Sequence, residues 1–235
     1  MSSFGVLLAD TPELKRAVYR FRYRIYVEQM KRRQLHADHV ARLIEEPMDR
    51  SARNYIAFRG DEPVGVIRAN MADDPDMAYY RKLYRIDTLG MRDISKVQIT
   101  TKLMVRPDMR NTAIGPRMIR QYADQSYQLG IQVDLVDCNK PLIPFFERIG
   151  YFSYCGWVFH KEYGTVRPMA LALDTVNYID TIRSILAAPA KSRIKDNCYG
   201  GYELIRRIAE PPSIPMAHAA YVATFRPISI AAAAE

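Results

Sequence analysis

Between Val97 and Val136 the periodicity of the chain changes twice, and few folds accommodate the change. Val97, Ile99, Thr101, Leu103 and Val105 recur at every second position, which predicts a strand with these five residues on one face. Pro107 ends that strand. Ile114, Met118, Ile119 and Tyr122 come next at helical spacing, which predicts a helix over 114–129 that stops at Gly130, and a second strand over 131–136. The connection from the first strand into the helix is Arg106-Pro107-Asp108-Met109-Arg110-Asn111-Thr112-Ala113-Ile114-Gly115. It is basic and contains glycine, and the free N–H groups and dipole of a helix start favour a phosphate. A strand, basic loop, helix, strand unit of this kind belongs to an α/β fold.

The flanking segments extend the pattern. Residues 4–9 read as a strand, and Thr11-Pro12 opens a helix to about Met30 with Leu14, Val18, Phe21 and Ile25 on its apolar stripe. Runs over 54–59 and 64–70, joined by Gly60-Asp61-Glu62-Pro63, predict an antiparallel hairpin. Residues 73–90 are polar, with a short helix expected around Tyr79 to Tyr84. A helix over 141–149 stops at Gly150, and strands over 151–160 and 166–173 come after it. A further helix is expected from Asp174 to about Leu186. The reading is one mixed α/β domain over 1–186 and a partly irregular extension over 187–235, which carries Pro211-Pro212, Gly200-Gly201 and a run of terminal alanines.

The composition narrows the setting. A 235-residue chain with 49% hydrophobic residues can bury one substantial core, and no apolar run reaches membrane-spanning length, so a cytoplasmic location is expected. Cys138, Cys155 and Cys198 show no CxxC spacing, which argues for reduced thiols over a disulfide framework or zinc site. His36, Asp38 and His39 lack a third ligand cluster, so no metal is expected. The net charge of +8 favours an acidic partner. A nucleic acid is not expected, because the basic residues come without an aromatic stacking motif or a recognition helix.

The basic loop and the chain beyond it resemble the GNAT superfamily. Arg110-Asn111-Thr112-Ala113-Ile114-Gly115 resembles its Gln/Arg-x-x-Gly-x-Gly/Ala fingerprint, with alanine for the first glycine. Phe146-Glu147-Arg148-Ile149-Gly150-Tyr151 resembles its Tyr-Glu-Lys-x-Gly-Phe segment, with Phe146 in place of the tyrosine thought to protonate the leaving thiolate in many members. Further upstream, Arg22-Tyr23-Arg24-Ile25-Tyr26 is similar to the Arg-x-x-Val-Phe start of acyl-homoserine lactone synthases and N-acyl amino acid synthases. Glu46 and Asp49 stand where those proteins have a pair of acids, Arg68 where they have an arginine, and Thr101-Lys102 in place of their Ser-Arg. Gly164-Thr165-Val166-Arg167-Pro168-Met169-Ala170-Leu171 is similar to the Gly-x-Val-x-Pro-Met-x-Leu run of the N-acyl amino acid synthase branch.

The resemblance implies a GNAT fold: a mixed, largely antiparallel sheet with flanking helices and a V-shaped splay between its fourth and fifth strands, which end at Val105 and Asp137. It implies transfer of a long-chain acyl group from an acyl carrier protein thioester, or acyl-coenzyme A, directly to the amine of an amino acid or similar small molecule. No cofactor is implied beyond that co-substrate. Donor contacts fall on Leu103, Met104, Val105, Arg110, Ala113 and Gly115, with a backbone N–H of Met104 or Val105 at the oxyanion. Acceptor contacts fall on Arg22, Tyr26, Arg68 and Lys102, and Glu46 or Asp49 is the candidate base. Lys15, Arg16, Arg20, Arg22, Arg24, Lys31, Arg32 and Arg33, with Arg106, Arg110, Arg117 and Arg120, are read as a basic surface for the carrier. Acyl-homoserine lactone synthase, acetyl-coenzyme A-dependent acetyltransferase and a thioester-binding module without catalysis are the competing readings.

Overall fold

The computed structural model describes residues 4–91, 93–174, 179 and 184–194. The chain divides into two compact units. One runs to Asn70 and adds Thr100–Tyr122; the other comprises Met71–Ile99 and the chain from Ala123 onward.

The first unit opens with strand β1 (Phe4–Leu8) and helix α1 (Pro12–Tyr23). Thr11 caps the helix, its hydroxyl accepting the Leu14 N–H at 3.3 Å, and Pro12 occupies the first turn, where its missing N–H costs nothing. The predicted helix to Met30 does not stay α-helical. From Arg24 to Gln29 it widens into a π-helical turn, closed by the Met30 N–H on the Ile25 carbonyl, and Ile25 and Tyr26 are both buried there. A small hairpin comes next, β2 (Ala37–Asp38) against β3 (Leu43–Ile44), in a segment where periodicity predicts no strand.

Strands β4 (Arg53–Arg59) and β5 (Glu62–Met71) form the expected hairpin with a tighter turn. Arg59 pairs with Glu62, so Gly60-Asp61 alone makes the turn and Glu62-Pro63 already belong to the strand; Gly60 supplies the positive φ of 60°. β6 (Val97–Val105) runs through both units, and in the first unit the strands lie in the order β1-β4-β5-β6. β1 and β4 pair antiparallel, as do β4 and β5. Val18, Phe21, Ile56, Val66 and Met118 fill the core.

β6 departs from the unbroken alternation expected over 97–105. Lys102 has φ 54°, in the left-handed region that costs a non-glycine residue roughly 1–2 kcal/mol, and residues on both sides of it are buried. After the 3-10 turn Pro107–Met109 comes helix α3, Ile114–Gln128, as expected.

In the second unit, helix α2 (Ala78–Leu83) precedes β6. Residues Val97–Ile99 of β6 run parallel to β7 (Val133–Cys138), and the registered pairs end at Ile99 opposite Leu135. β7 begins two residues later than its apolar run suggests, because Gly130 at φ 66° and Ile131 complete the exit from α3. Helix α4 (Ile143–Ile149) ends at Gly150. The strand expected over 151–160 is split into β8 (Phe152–Ser153) and β9 (Val158–His160), which pair with different ends of β10 (Gly164–Ala172). β10 also lies antiparallel to β7. The sheet is thus mixed and mostly antiparallel, with β6/β7 as its parallel pair. Most of the helix expected over 174–186, and the extension beyond residue 194 with Cys198, lie outside the described residues.

Candidate active site

Five charged side chains meet in the first unit, although they come from four separate segments of the sequence. Arg22 comes from α1, Glu46 and Asp49 from the turn before β4, Arg68 from β5 and Lys102 from β6. The turn is fixed by its own acids. The Asp49 carboxylate accepts the Glu46 N–H at 2.8 Å, the Asp49 N–H donates to the Glu46 carbonyl, and Asn70 donates to the Met48 carbonyl at 2.8 Å.

Arg22 Nη1 donates to Asp49 Oδ2 at 2.7 Å and its Nη2 donates to Asn54 Oδ1 at 2.5 Å. Arg68 Nη1 lies 2.6 Å from Glu46 Oε2 and 3.5 Å from Asp49 Oδ1, while its Nε donates to the Thr101 hydroxyl at 2.9 Å. Lys102 Nζ lies 2.8 Å from Glu46 Oε1 and 4.8 Å from the centre of the Tyr26 ring. In a regular strand Thr101 and Lys102 would point to opposite faces. The left-handed backbone at Lys102 lets both reach this cluster.

Burial sets the electrostatics. The side chains of Arg22, Asp49, Arg68 and Lys102 are fully buried and that of Glu46 is 8% exposed; the 6% exposure of Lys102 as a residue belongs to its backbone. Burial by itself pushes the Glu46 carboxyl up, but Arg68 and Lys102 together outweigh it and hold the group well below the usual carboxylate range. Burial likewise acts upward on Asp49, and Arg22, Arg68 and the Glu46 N–H more than offset it. Both acids are therefore ionised, and three cations face two carboxylates. Burial, then Asp49 and Glu45, push the Tyr19 hydroxyl up to about 12.

The predicted donor residues lie on the same strand as Lys102 and in the loop after it. The Arg106 N–H donates to the Val64 carbonyl of β5 at 2.9 Å. Alternation then turns the N–H and carbonyl of Met104 toward β5 and those of Val105 to the opposite edge. There the Val105 carbonyl accepts Arg110 Nε at 3.2 Å. The Thr112 hydroxyl donates to the Met109 carbonyl and accepts the Ile114 N–H, bracing the loop into α3, with Asn111 in the left-handed region at φ 63°. Ala113 is exposed, and at Gly115 a Cβ would meet nothing closer than Val105 Cγ2 at 4.0 Å. The site thus offers a buried charge cluster joined by three residues of β6 to a loop whose glycine would take a methyl group without a clash.

Other candidates fall away. In the second unit, burial, then Asp137 and Glu147, push the Cys138 thiol up to about 12, and its sulfur lies 3.5 Å from Met169 Sδ, which leaves it a poor nucleophile. Phe146 is buried against Phe145 and Tyr151. His39 Nδ1 sits 3.0 Å from the Tyr23 hydroxyl, and no group of metal-ligating side chains occurs among the described residues. Arg22, read from sequence as part of a basic surface, is buried in the cluster instead. Asn54 and Asn70 were not singled out from sequence, where nothing but a polar letter inside a predicted strand marks them; the fold buries both beside the cluster.

A mixed sheet with a basic loop between strand and helix is the arrangement of a GNAT fold. The sequence profile of the acetyltransferase (GNAT) family matches residues 17–151, more than half of the chain, and the chain belongs to that family. No curated protein sequence matches it. Among solved structures, it is similar to BjaI, a CoA-dependent acyl-homoserine lactone synthase with SAM and isopentyl-CoA, at 14% identity and a TM-score of 0.62 over 88% of this chain and 99% of that one. It is similar to FeeM, an N-acyl amino acid synthase from uncultured soil microbes, at 13% identity and a TM-score of 0.57 over 83% of this chain and 97% of that one. The acyl-homoserine lactone synthase LasI shares 11% identity and a TM-score of 0.58 over 77% of this chain and 95% of that one. At these identities the likeness is one of fold. No described helix is long and apolar enough to cross a membrane.

Proposed function

We propose that the chain is a cytoplasmic N-acyltransferase that moves a long-chain acyl group from an acyl carrier protein thioester onto the α-amine of an amino acid by direct attack. The observation that carries this reading is the buried cluster of three cations and two carboxylates directly upstream of the donor strand. A zwitterionic acceptor matches it. Glu46, whose side chain alone among the five keeps some exposure, faces the acceptor ammonium, while the net positive charge behind it, from Lys102 and Arg68, favours the acceptor carboxylate. Arg22 and Tyr26 hold Asp49 and Lys102 in place beneath.

Ordinary acid–base behaviour supplies the chemistry. An α-amine of pKa about 8 is roughly a tenth neutral at pH 7, so a weak acceptor such as Glu46 or Asp49, acting through water, suffices. As the amine adds to the thioester carbonyl, the Val105 N–H, turned away from β5, meets the oxyanion, a contact worth roughly 3 kcal/mol in comparable sites. The main chain of Leu103 pairs with the pantetheine arm as it passes Val105. Met104, turned toward β5, backs them, and Arg110, Ala113 and Gly115 receive the donor phosphate. The scheme needs no further cofactor. The chain's net charge of +8 supports an acidic donor, and a long acyl chain gains about 0.8 kcal/mol per buried methylene.

Thiol release, monitored with one acyl group presented on carrier protein, on coenzyme A or as acetyl-coenzyme A, against amino acids and S-adenosylmethionine, tests this directly. Fastest release from long-chain carrier protein with an amino acid is the expected result. Release only with S-adenosylmethionine, or only from acetyl-coenzyme A, would overturn it in favour of the matching rival.

A further inference from the structure

Helix α1 has two basic faces with opposite fates. Arg22 points inward to the buried cluster, whereas Arg16, Arg20 and Arg24 recur every fourth residue and so form a single exposed row. Their spacing along the axis is about 6 Å per step. None of the three guanidinium groups has an ion-pair or hydrogen-bond partner among the described residues. The row borders a groove lined as well by Ala17 and Pro63, with the buried Phe21 beneath it and Glu13 at one end. Three like charges at this spacing repel one another, so an unpartnered row is stabilised when an anionic surface covers it.

The groove is also next to the donor loop. Pro63 lines it, and the next residue, Val64, accepts the N–H of Arg106, the first residue of that loop. Of the arginines around that loop, Arg106 pairs with Glu62 and Asp108 and Arg117 of α3 lies over the Phe4 ring.

We infer that the α1 groove is the docking surface for the acidic protein that carries the acyl thioester, with carboxylates of one partner helix laid along Arg16, Arg20 and Arg24. This rests on the carrier-protein donor proposed above and gives that donor a place to bind. Docking here puts a macromolecular partner beside the phosphate-receiving loop without obstructing it. The apolar lining meets the uncharged part of the partner helix and the arginine row its acidic side.

The test is binding of a fluorescently labelled acyl carrier protein bearing a hexadecanoyl chain, monitored by anisotropy. The wild-type chain is expected to bind it, R16E/R20E/R24E to bind at least tenfold more weakly, and R16K/R20K/R24K to retain most of the affinity. All three side chains are exposed, so an unchanged thermal midpoint confirms that the reversed variant is folded. Equal binding by wild type and the reversed variant, or no binding by wild type, would overturn the inference. So would an equal loss of affinity for coenzyme A, because the row would then serve a nucleotide. Turnover is read separately: a chain that binds carrier protein through this row but never forms product retires the catalytic reading and leaves the docking surface standing.

Discussion

Two glycines in the first unit look alike in sequence and do opposite things. Gly65 sits on β5 where a Cβ would come 2.5 Å from Met118 Sδ and 2.9 Å from the Met104 carbonyl, so the protein itself fills the space. Gly115 opens α3, and its surroundings would accept a methyl group without a clash. The same contrast separates the regions these glycines belong to. Gly65 lies where the protein is closed, and further along the same strand Arg68 joins the buried cluster in which three cations face two carboxylates. At Gly115 an added methyl group would make only an ordinary contact, with Val105 Cγ2 at 4.0 Å. What tells the two glycines apart is the packing around each, which the sequence letter does not carry.

The closed region is hit hardest by D49N. It leaves Arg22 and Arg68 buried with one carboxylate fewer, and a loss of about 3–5 kcal/mol is expected in denaturant unfolding. A loss below about 1 kcal/mol would mean that the cluster is open to water. Acid probes the same charges without mutation. Glu46 and Asp49 both have folded-state values below their unfolded ones, so their contribution is complete above the unfolded carboxylate range near pH 4 and is lost as pH falls further. Thermal midpoints should accordingly hold from neutral pH to about 5 and drop below about 4, and D49N should show a shallower drop.

G65A and G115A set the two glycines directly against each other. G65A should cost roughly 1–3 kcal/mol by overpacking, because Met118 can shift its flexible end but the Met104 carbonyl is main chain. G115A should leave the thermal midpoint nearly unchanged while raising the KM for the thioester donor about tenfold, a loss of about 1.4 kcal/mol. An unaltered donor KM in G115A would remove the loop from donor binding.

Much of this was legible from periodicity and turn chemistry. The β4–β5 hairpin, β6, α3 and α4 lie close to their expected positions because their apolar spacing agrees with the local backbone rules. The bulge at Lys102 was hidden because Val97 to Val105 alternates in letters even though the backbone does not. What selects the left-handed residue is the need to bring both Thr101 and Lys102 to Arg68 and Glu46, a tertiary demand with no local signature. The split of β8 from β9 is hidden for a related reason: each is defined by its partner on β10. The members of the ion cluster were visible only through family resemblance. Their mutual pairing, and the support from Asn54 and Asn70, required the fold.

Direct acyl transfer is put to the hardest test by mass spectrometry of the product formed from a long-chain acyl carrier protein and a 15N-labelled amino acid. The expected product is an N-acyl amino acid that carries the label in its amide, with one free carrier thiol released per product. A thioester that survives intact with every amino acid offered, or an acyl group found covalently on the protein itself, would contradict it.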